Sequence, residues 1–177
     1  MAERFWLPAR RLAAYLLDIL LLFAALAPAG QLVQRTLGLA PPRTGPELAR
    51  VIAWNFSLPA WLYFTFGDRS RDGMTPGKRL LRVRVRGRRG GRLGFPRALL
   101  RTALKLLPWE LVHLFAFARS TDLTQFRPDQ AAGVAVANAL TLAYLAVAVA
   151  SGGRRSVHDL VAGSCVEPVA EEGDGAR

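Results

Sequence analysis

The sequence predicts an all-α polytopic membrane protein with three or four transmembrane helices and a small cytoplasmic Arg-rich β-hairpin. Its 177 residues are 51% hydrophobic, yet they carry a formal net charge of +11. A chain of this length is one domain, which must keep its apolar and its basic segments apart. Thirteen of the 24 Lys and Arg residues lie between residues 69 and 105. A membrane protein separates these two chemistries by placing one of them in the lipid.

Two apolar segments in the first half of the chain are predicted to cross the membrane. Residues 12–29 are interrupted only by Asp18, and a helix of this length covers most of a hydrocarbon core of roughly 30 Å. A cleavable signal peptide is the rival interpretation, which the carboxylate disfavours. Residues 49–66 follow, with an aromatic group at one end that suits a membrane interface. Pro59 is expected to kink this second helix.

Two further segments are predicted in the second half of the chain. Residues 131–150 contain no charged side chain and form the clearest span, since small residues favour close packing of membrane helices. Residues 98–118 are ambiguous, because Arg101 and Lys105 interrupt them and Pro108 is expected to split them. This segment either lies at the interface or crosses as a broken helix.

The distribution of basic residues predicts the orientation of these helices. The first loop holds only two arginines, whereas the amino terminus and residues 69–105 are basic. The positive-inside rule therefore places the amino terminus and the region around Gly90 in the cytoplasm, and the loop around Pro42 outside. Four crossings return the carboxyl terminus to the cytoplasm, and three leave it outside. The expected location is the cell (inner or plasma) membrane.

Apolar and basic residues alternate in KRLLRVRVRGRRGGRLGF, residues 78–95, which predicts a hairpin that turns at Gly90 and Gly91. One face of the hairpin would present its arginines to anionic lipid headgroups, each contributing about 1 kcal/mol near the surface. A solvated face that only fixes topology is the alternative. Nucleic acid is not expected as a partner, since no aromatic stacking residue lies on the arginine face. The predicted lipid-binding residues are Arg82, Arg84, Arg86, Arg88 and Arg89.

The segment GMTPGKR, residues 73–79, is predicted to form a tight turn before the hairpin. Gly73 and Gly77 flank Thr75 and a proline, which is typical turn chemistry, and Lys78 adds interfacial charge. Only three residues separate the two glycines, and an arginine follows the lysine, so this is not the phosphate-binding loop of nucleotide-binding proteins.

Three stretches together resemble the RDD family of membrane proteins: RRLAAYLLD, GMTPGKRLLRVRV and RRSVHDLVAGSCV. On this resemblance Arg11, Asp18 and Asp159 correspond to the arginine and the two aspartates of the family motif. LPWELVH, residues 107–113, is similar to a stretch in a subset of relatives. Two positions depart from the pattern: Arg82 stands where glycine is usual, and Ser164 where threonine is usual. The resemblance implies a single domain over residues 4–168, and residues 169–177 are predicted to be a disordered acidic tail.

The intramembrane carboxylate of Asp18 requires a partner, because a charge within the bilayer costs roughly 2.5–3.5 kcal/mol on insertion scales. Seven residues separate it from Arg11, so the two share a helix face about 10 Å apart along the axis, too far for an easy direct pair. We expect a partner from another segment, and the role of a packing link is favoured over a proton or cation site. The candidate partners are Asn55, Arg101, Lys105, His113 and the carboxyl-terminal group Arg154, Arg155, His158 and Asp159.

Glu110, His113 and His158 are the residues that could join Asp18 in a proton or ion site. Glu110 and His113 share a helix face, but a lone pair of this kind lacks the further carboxylates of a dimetal centre, so no metal is expected. No cofactor is expected either.

We expect no enzymatic activity, because the sequence contains no nucleophile elbow and Ser156 is too close to His158 and Asp159 in sequence for these three to form a triad by themselves. The sequence favours a non-catalytic membrane module that organises helix packing and anionic lipid or protein contacts. The resemblance also implies transport of an unidentified ligand, and sodium/proton exchange in some members. Four helices can hardly enclose a path, so transport would require a homo-oligomer or another membrane protein as a partner.

Overall fold

The computed structural model describes residues 2–118 and 127–169. The chain is mainly helical and has one small sheet. The α-helices are α1 (Ala2–Thr36), α2 (Gly45–Ile52), α3 (Leu58–Arg69), α4 (Pro76–Leu80), α5 (Phe95–Val112), α6 (Pro128–Ala150) and α7 (Val157–Ala162), and the strands are β1 (Val83–Gly87) and β2 (Ser164–Pro168). Two π-helical turns, Ala53–Ser57 and His113–Phe117, extend α2 into α3 and lengthen α5. The predicted acidic tail lies outside the described residues, apart from Val169.

Two of the described helices are long and apolar enough to cross a membrane. They comprise Trp6–Thr36 within α1 and the whole of α6, and their most apolar 18-residue windows have mean hydropathies of 2.1 and 1.9. Only 17% and 22% of these windows is buried inside the protein, so most of their apolar surface has no protein to contact. This is the pattern of helices that lie in lipid rather than in the core of a soluble domain.

Four long helical segments pack side by side, and both pairs are antiparallel. The first pair is α1 with α2–α3, joined through Tyr15 and Phe64, whose rings stack with centroids 5.9 Å apart. The second is α5 with α6, where Gln130 donates to the Ala116 carbonyl at 3.0 Å. A core of Leu22, Phe56, Ala60, Phe64 and Leu106 lies between α1, α3 and α5. The helices therefore begin and end at two common ends of one bundle.

The helix predicted to break at Pro108 is continuous, so that expectation was wrong. Proline has no N–H group and leaves the carbonyl of the residue four positions earlier without its helical donor. Here that carbonyl belongs to Leu104, and the Tyr144 hydroxyl of α6 donates to it at 2.9 Å. The neighbouring helix thus supplies the missing hydrogen bond, as apolar surroundings require.

The predicted hairpin is also wrong in its pairing, although the first of its strands is present. β1 pairs antiparallel with β2, and Val85 lies opposite Val166. Its other edge is occupied, because the Val85 N–H donates to the Gly73 carbonyl at 2.9 Å. Leu93 is buried against the sheet, and Phe95 already begins α5. The residues after the glycine turn therefore pack on the sheet instead of joining it.

Candidate functional site

Eight titratable side chains from five elements meet at one end of the bundle, and we name this group the charged cluster. Its carboxylates are those of Asp18, Asp68 and Asp159, each fully buried. Its basic members are Arg11, Lys78, Arg101, Lys105 and His158. Buried charges are tolerated only when they are paired and hydrogen-bonded, so each contact in this group contributes to the stability of the fold.

Asp18 binds the turn that leads into α4. Its Oδ1 atom accepts from the Tyr63 hydroxyl at 2.6 Å and from the Gly77 N–H at 2.8 Å, and its Oδ2 atom accepts from the Thr75 hydroxyl. Because Thr75 precedes the first residue of α4, the carboxylate satisfies an N–H group at the start of that helix. A carboxylate is the preferred partner at a helix amino terminus.

None of the expected partners of Asp18 binds it, and its three donors are uncharged. Tyr63 and the turn supply these donors, whereas Arg101 pairs with two other aspartates. The sequence could not indicate this arrangement, because it depends on how closely the turn approaches α1.

Gly77 permits that close approach. A Cβ atom at this position would lie 2.4 Å from the Ala14 carbonyl oxygen and 2.7 Å from Oδ1 of Asp18. Neither the backbone of α1 nor the hydrogen-bonded carboxylate can move away at low cost. The glycine of the predicted turn motif is therefore required by the space between α4 and α1.

Asp68 joins α3 to α4 and α5. The Lys78 ammonium group and the Arg101 guanidinium group both donate to its carboxylate. Burial lowers the pKa of Lys78, and the neighbouring Asp68 carboxylate opposes that shift. Asp68 was not among the predicted site residues, although its place directly after an apolar segment and shortly before a basic turn was the available signal.

Asp159 joins the carboxyl-terminal segment to α1 and α5. It accepts from Arg101 Nε, from the Ser164 hydroxyl and from the Ser156 N–H, each at 2.9 Å, and it also pairs with Arg11. Burial alone would raise the pKa of the Asp159 carboxyl, but the two guanidinium groups outweigh it and hold that pKa well below its usual value. This carboxylate stays ionised in the folded protein.

His158 lies beside this pair. Its Nε2 atom is 2.7 Å from a guanidinium nitrogen of Arg11, and because arginine only donates, the Nε2 atom accepts and the proton is on Nδ1. Burial first, and the nearby cations next, hold the pKa of the His158 imidazole well below its ordinary value. The ring is therefore neutral, and its Nδ1–H group has no hydrogen-bond partner among the described residues.

Comparison with known protein families shows to which family the chain belongs. The sequence pattern of the RDD family matches residues 7–163, which is most of the protein and contains the whole charged cluster. The chain belongs to the RDD family. No curated protein and no solved structure matches it.

Of the three residues predicted to form the family motif in this RDD protein, two contact each other and the third is separate. Arg11 pairs with Asp159, and it also donates to the Gly153 carbonyl at 3.2 Å, which fixes the start of α1 to the segment after α6. Asp18 instead binds the turn before α4. Arg101 was predicted only as a candidate partner of Asp18, whereas it bridges Asp159 to Asp68.

The two departures from the RDD pattern have structural explanations. Arg82 has a φ of +51°, a left-handed conformation that glycine adopts without strain, which fits the glycine expected at this position from the resemblance. The Ser164 hydroxyl donates to Asp159, and a threonine hydroxyl at that position can do the same.

Glu110 and His113 form a separate polar group, and no contact joins them to Asp18 among the described residues. Glu110 accepts from the Ser57 hydroxyl at 3.0 Å and from the Trp61 indole N–H at 3.1 Å, while His113 Nδ1 lies 3.9 Å from it. His158 contacts Arg11 instead. The predicted proton or ion site is therefore divided, because Asp18 and His158 lie in the charged cluster without contacting each other and Glu110 and His113 lie apart from it. In the part of the chain described, no group of three His, Cys, Asp or Glu side chains could hold a metal ion.

The predicted lipid-binding arginines lie at and beside β1, and they differ in their surroundings. Arg84 forms an ion pair with Glu167 of β2 at 2.7 Å, and Arg86 lies 3.8 Å from the same carboxylate. Arg88 and Arg89 are exposed, as is Arg82, which has an interaction of its own. Lipid binding by this face stays a prediction, in which Arg88 and Arg89 have the greatest freedom to reach headgroups.

A cavity of about 370 Å³ opens beside the charged cluster, between α1, α5 and α6. Its walls are mostly apolar and include Leu12, Trp109 and Leu145. Six members of the charged cluster also line it: Arg11, Asp18, Lys78, Arg101, Lys105 and His158. The cavity therefore places apolar surface directly next to buried basic groups, as small-molecule sites commonly do.

Proposed function

We propose that this RDD protein is a non-catalytic, multi-pass module of the cell membrane whose charged cluster locks its helices together and whose basic face contacts anionic lipid. The single observation that carries the proposal is the set of three hydrogen bonds that described residues donate to Asp18. The Asp18 carboxylate accepts hydrogen bonds from Tyr63, Thr75 and Gly77. Because these contacts hold it in the fold, it is poorly placed to bind and release an ion.

We propose four crossings, with both termini and the basic face in the cytoplasm. Pairing of β1 with β2 supports this count, since the segment before α5 and the segment after α6 must then share one side. The contact of Arg11 with Gly153 supports the same side for the start of α1. An even number of crossings follows, and the positive-inside rule gives the orientation.

The alternative is an oligomeric transporter or a sodium/proton exchanger that uses Asp18. Membership in the RDD family and the cavity beside the charged cluster favour it. It would require Asp18 to exchange its hydrogen bonds with the α4 turn for a proton or a sodium ion.

Flux measurements distinguish the two proposals. The purified chain and its Asp18→Asn variant are reconstituted in liposomes that contain a pH-sensitive dye, and a sodium gradient is applied. We expect no sodium-dependent proton flux above protein-free liposomes for either protein. A flux in the parent that Asp18→Asn abolishes would establish the exchanger instead.

A further inference from the structure

Lys105 is a half-buried basic residue of the charged cluster, and its amino group has no hydrogen-bonded acceptor among the described residues. Its ammonium nitrogen lies 3.2 Å from the centre of the Phe64 ring and 5.3 Å from that of Tyr15. The carboxylates of Asp68 and Asp18 attract it through space, but no ion pair or hydrogen bond joins it to any described residue. Aromatic faces stabilise a cation only partly, and three N–H donors remain available.

The charges of the cluster do not balance when Lys105 is protonated. Arg11, Lys78 and Arg101 match the carboxylates of Asp18, Asp68 and Asp159 in number, and His158 is neutral. A proton on Lys105 therefore adds one positive charge in a poorly hydrated place. An uncompensated charge of this kind is strongly unfavourable, so an anion from outside the chain would stabilise the protonated lysine.

A second unused donor lines the same cavity. The Nδ1–H group of His158 has no hydrogen-bond partner in the described part of the chain, and both His158 and Lys105 belong to the cavity wall. A buried polar group without a partner is rare in native proteins and points to a ligand or water. Two side chains from different helices thus offer hydrogen bonds to one space.

Most of the cavity wall is apolar and suits hydrocarbon, although polar side chains such as Asn138 and Thr141 also belong to it. Leu12 of α1 and Leu145 of α6 line it and are 43% and 39% exposed, so the cavity opens at the side of the bundle, between two membrane-type helices. Its volume of about 370 Å³ is in the lower part of the roughly 300–1,000 Å³ range of small-molecule sites.

From these four observations we propose that the cavity binds an anionic amphiphile, a phosphate or carboxylate group that carries an apolar chain. The anionic group meets Lys105 and His158, and the chain leaves the bundle past Leu12 and Leu145. This site is distinct from the arginine face at β1. It rests on the proposed function only in requiring that α1 and α6 lie in lipid. If the basic face at β1 does not bind lipid, the proposal for the cavity still holds.

Ligand titration in a neutral detergent tests the proposal. The parent, Lys105→Met and Arg97→Met are purified in dodecyl maltoside, and thermal unfolding is followed while dodecyl phosphate, dodecylphosphocholine or inorganic phosphate is added. Arg97 is an exposed residue of the same helix, so its variant removes the same charge outside the cavity. We expect dodecyl phosphate to raise the Tm of the parent and of Arg97→Met, with at least tenfold weaker binding to Lys105→Met.

The three added compounds distinguish an anionic amphiphile from a neutral amphiphile and from a free anion. Dodecylphosphocholine has no net charge and should give a much smaller shift than dodecyl phosphate. Inorganic phosphate has no chain, and a stabilisation by it equal to that of dodecyl phosphate would show that free anion, not an amphiphile, is bound. Equal binding of dodecyl phosphate to the parent and to Lys105→Met would overturn the proposal.

The unliganded proteins provide a second readout. Because no carboxylate pairs with Lys105 in the described part of the chain, delipidated Lys105→Met should have a Tm equal to or above that of the delipidated parent. A lower Tm would mean that the chain itself compensates Lys105, and this result too would contradict the proposal.

Discussion

The Tyr144 hydroxyl donates to the carbonyl oxygen of Leu104 at 2.9 Å, and this oxygen lacks a helical donor because Pro108 follows four residues later. Replacing Tyr144 with Phe should therefore lower the free energy of unfolding by about 1–3 kcal/mol, the cost of leaving a buried acceptor without a donor. In a Pro108→Ala background the helix can supply its own donor. In that background Tyr144→Phe should lower the free energy of unfolding by less than half as much. A double-mutant cycle in detergent measures this difference. Equal costs in the two backgrounds would contradict this explanation.

The charged cluster predicts how stability changes with pH. His158 faces Arg11, Asp159, Arg101 and Lys105, and its folded pKa is depressed well below 6.5. A base with a depressed pKa contributes stability that is fully present above the unfolded pKa and is lost as the pH falls below it. The Tm should therefore decline below about pH 6.5, and the His158→Gln variant should decline less. A steeper decline in the variant would show that this sign is wrong.

The pKa of Asp159 is also depressed, but its contribution is lost at lower pH. The unfolded carboxyl titrates near 3.9, so this stability is complete above that value and is lost only as the pH falls toward the folded pKa. Between pH 8 and 5 the decline in Tm should therefore reflect His158 and not Asp159.

Topology can be measured by thiol labelling. Cys165 is the sole cysteine, so Cys165→Ser gives a background for single cysteines at Pro41 and Arg89, both of which are exposed. In intact cells an impermeant reagent should label position 41 and not position 89, and both should react after the membrane is opened. The reverse pattern in intact cells would overturn the proposed orientation.

The basic face should distinguish lipids by charge. In nanodiscs, Arg88→Gln with Arg89→Gln should reduce the fraction of immobilised spin-labelled phosphatidylglycerol and leave phosphatidylcholine unchanged, since each arginine contributes about 1 kcal/mol near an anionic surface. Added salt should have the same effect on the parent. Arg35→Gln with Arg43→Gln, on the first loop, is the matched control. Equal loss in both pairs would remove the proposed role of the β1 face.

The sequence predicted those features that depend on local pattern. Helices occupy all four predicted segments, because apolar runs of this length can satisfy their backbone groups in no other way in lipid. The alternation of valine and arginine also predicted β1. Each observed element is longer than predicted where polar ends continue a helix, as at Thr36 beyond residue 29.

Contacts between distant segments could not be predicted in this way. Nothing in residues 78–95 indicates that β1 pairs with β2, some 80 residues later, because strand pattern carries no information about the partner. The donor to the Leu104 carbonyl comes from another helix for the same reason. Three of the most buried polar side chains, Asp68, Arg101 and Thr102, were likewise recognisable as part of a core only after the helices were placed.

The role of Asp18 as a structural lock is tested most directly by comparing Asp18→Asn with Asp18→Leu. Asparagine Oδ1 can accept from Tyr63 and Gly77. Its Nδ2 can donate to the Thr75 hydroxyl, which then accepts this hydrogen bond instead of donating it. Leucine leaves all three donors without an acceptor, each at about 1–3 kcal/mol.

The decisive measurement is the free energy of unfolding of both variants in the same detergent. We expect a loss of at least about 3 kcal/mol for Asp18→Leu. For Asp18→Asn we expect less than half of that loss, which reflects only the missing charge beside Lys78 and Lys105. An Asp18→Leu protein as stable as the parent, or two variants that lose equal stability, would contradict the account.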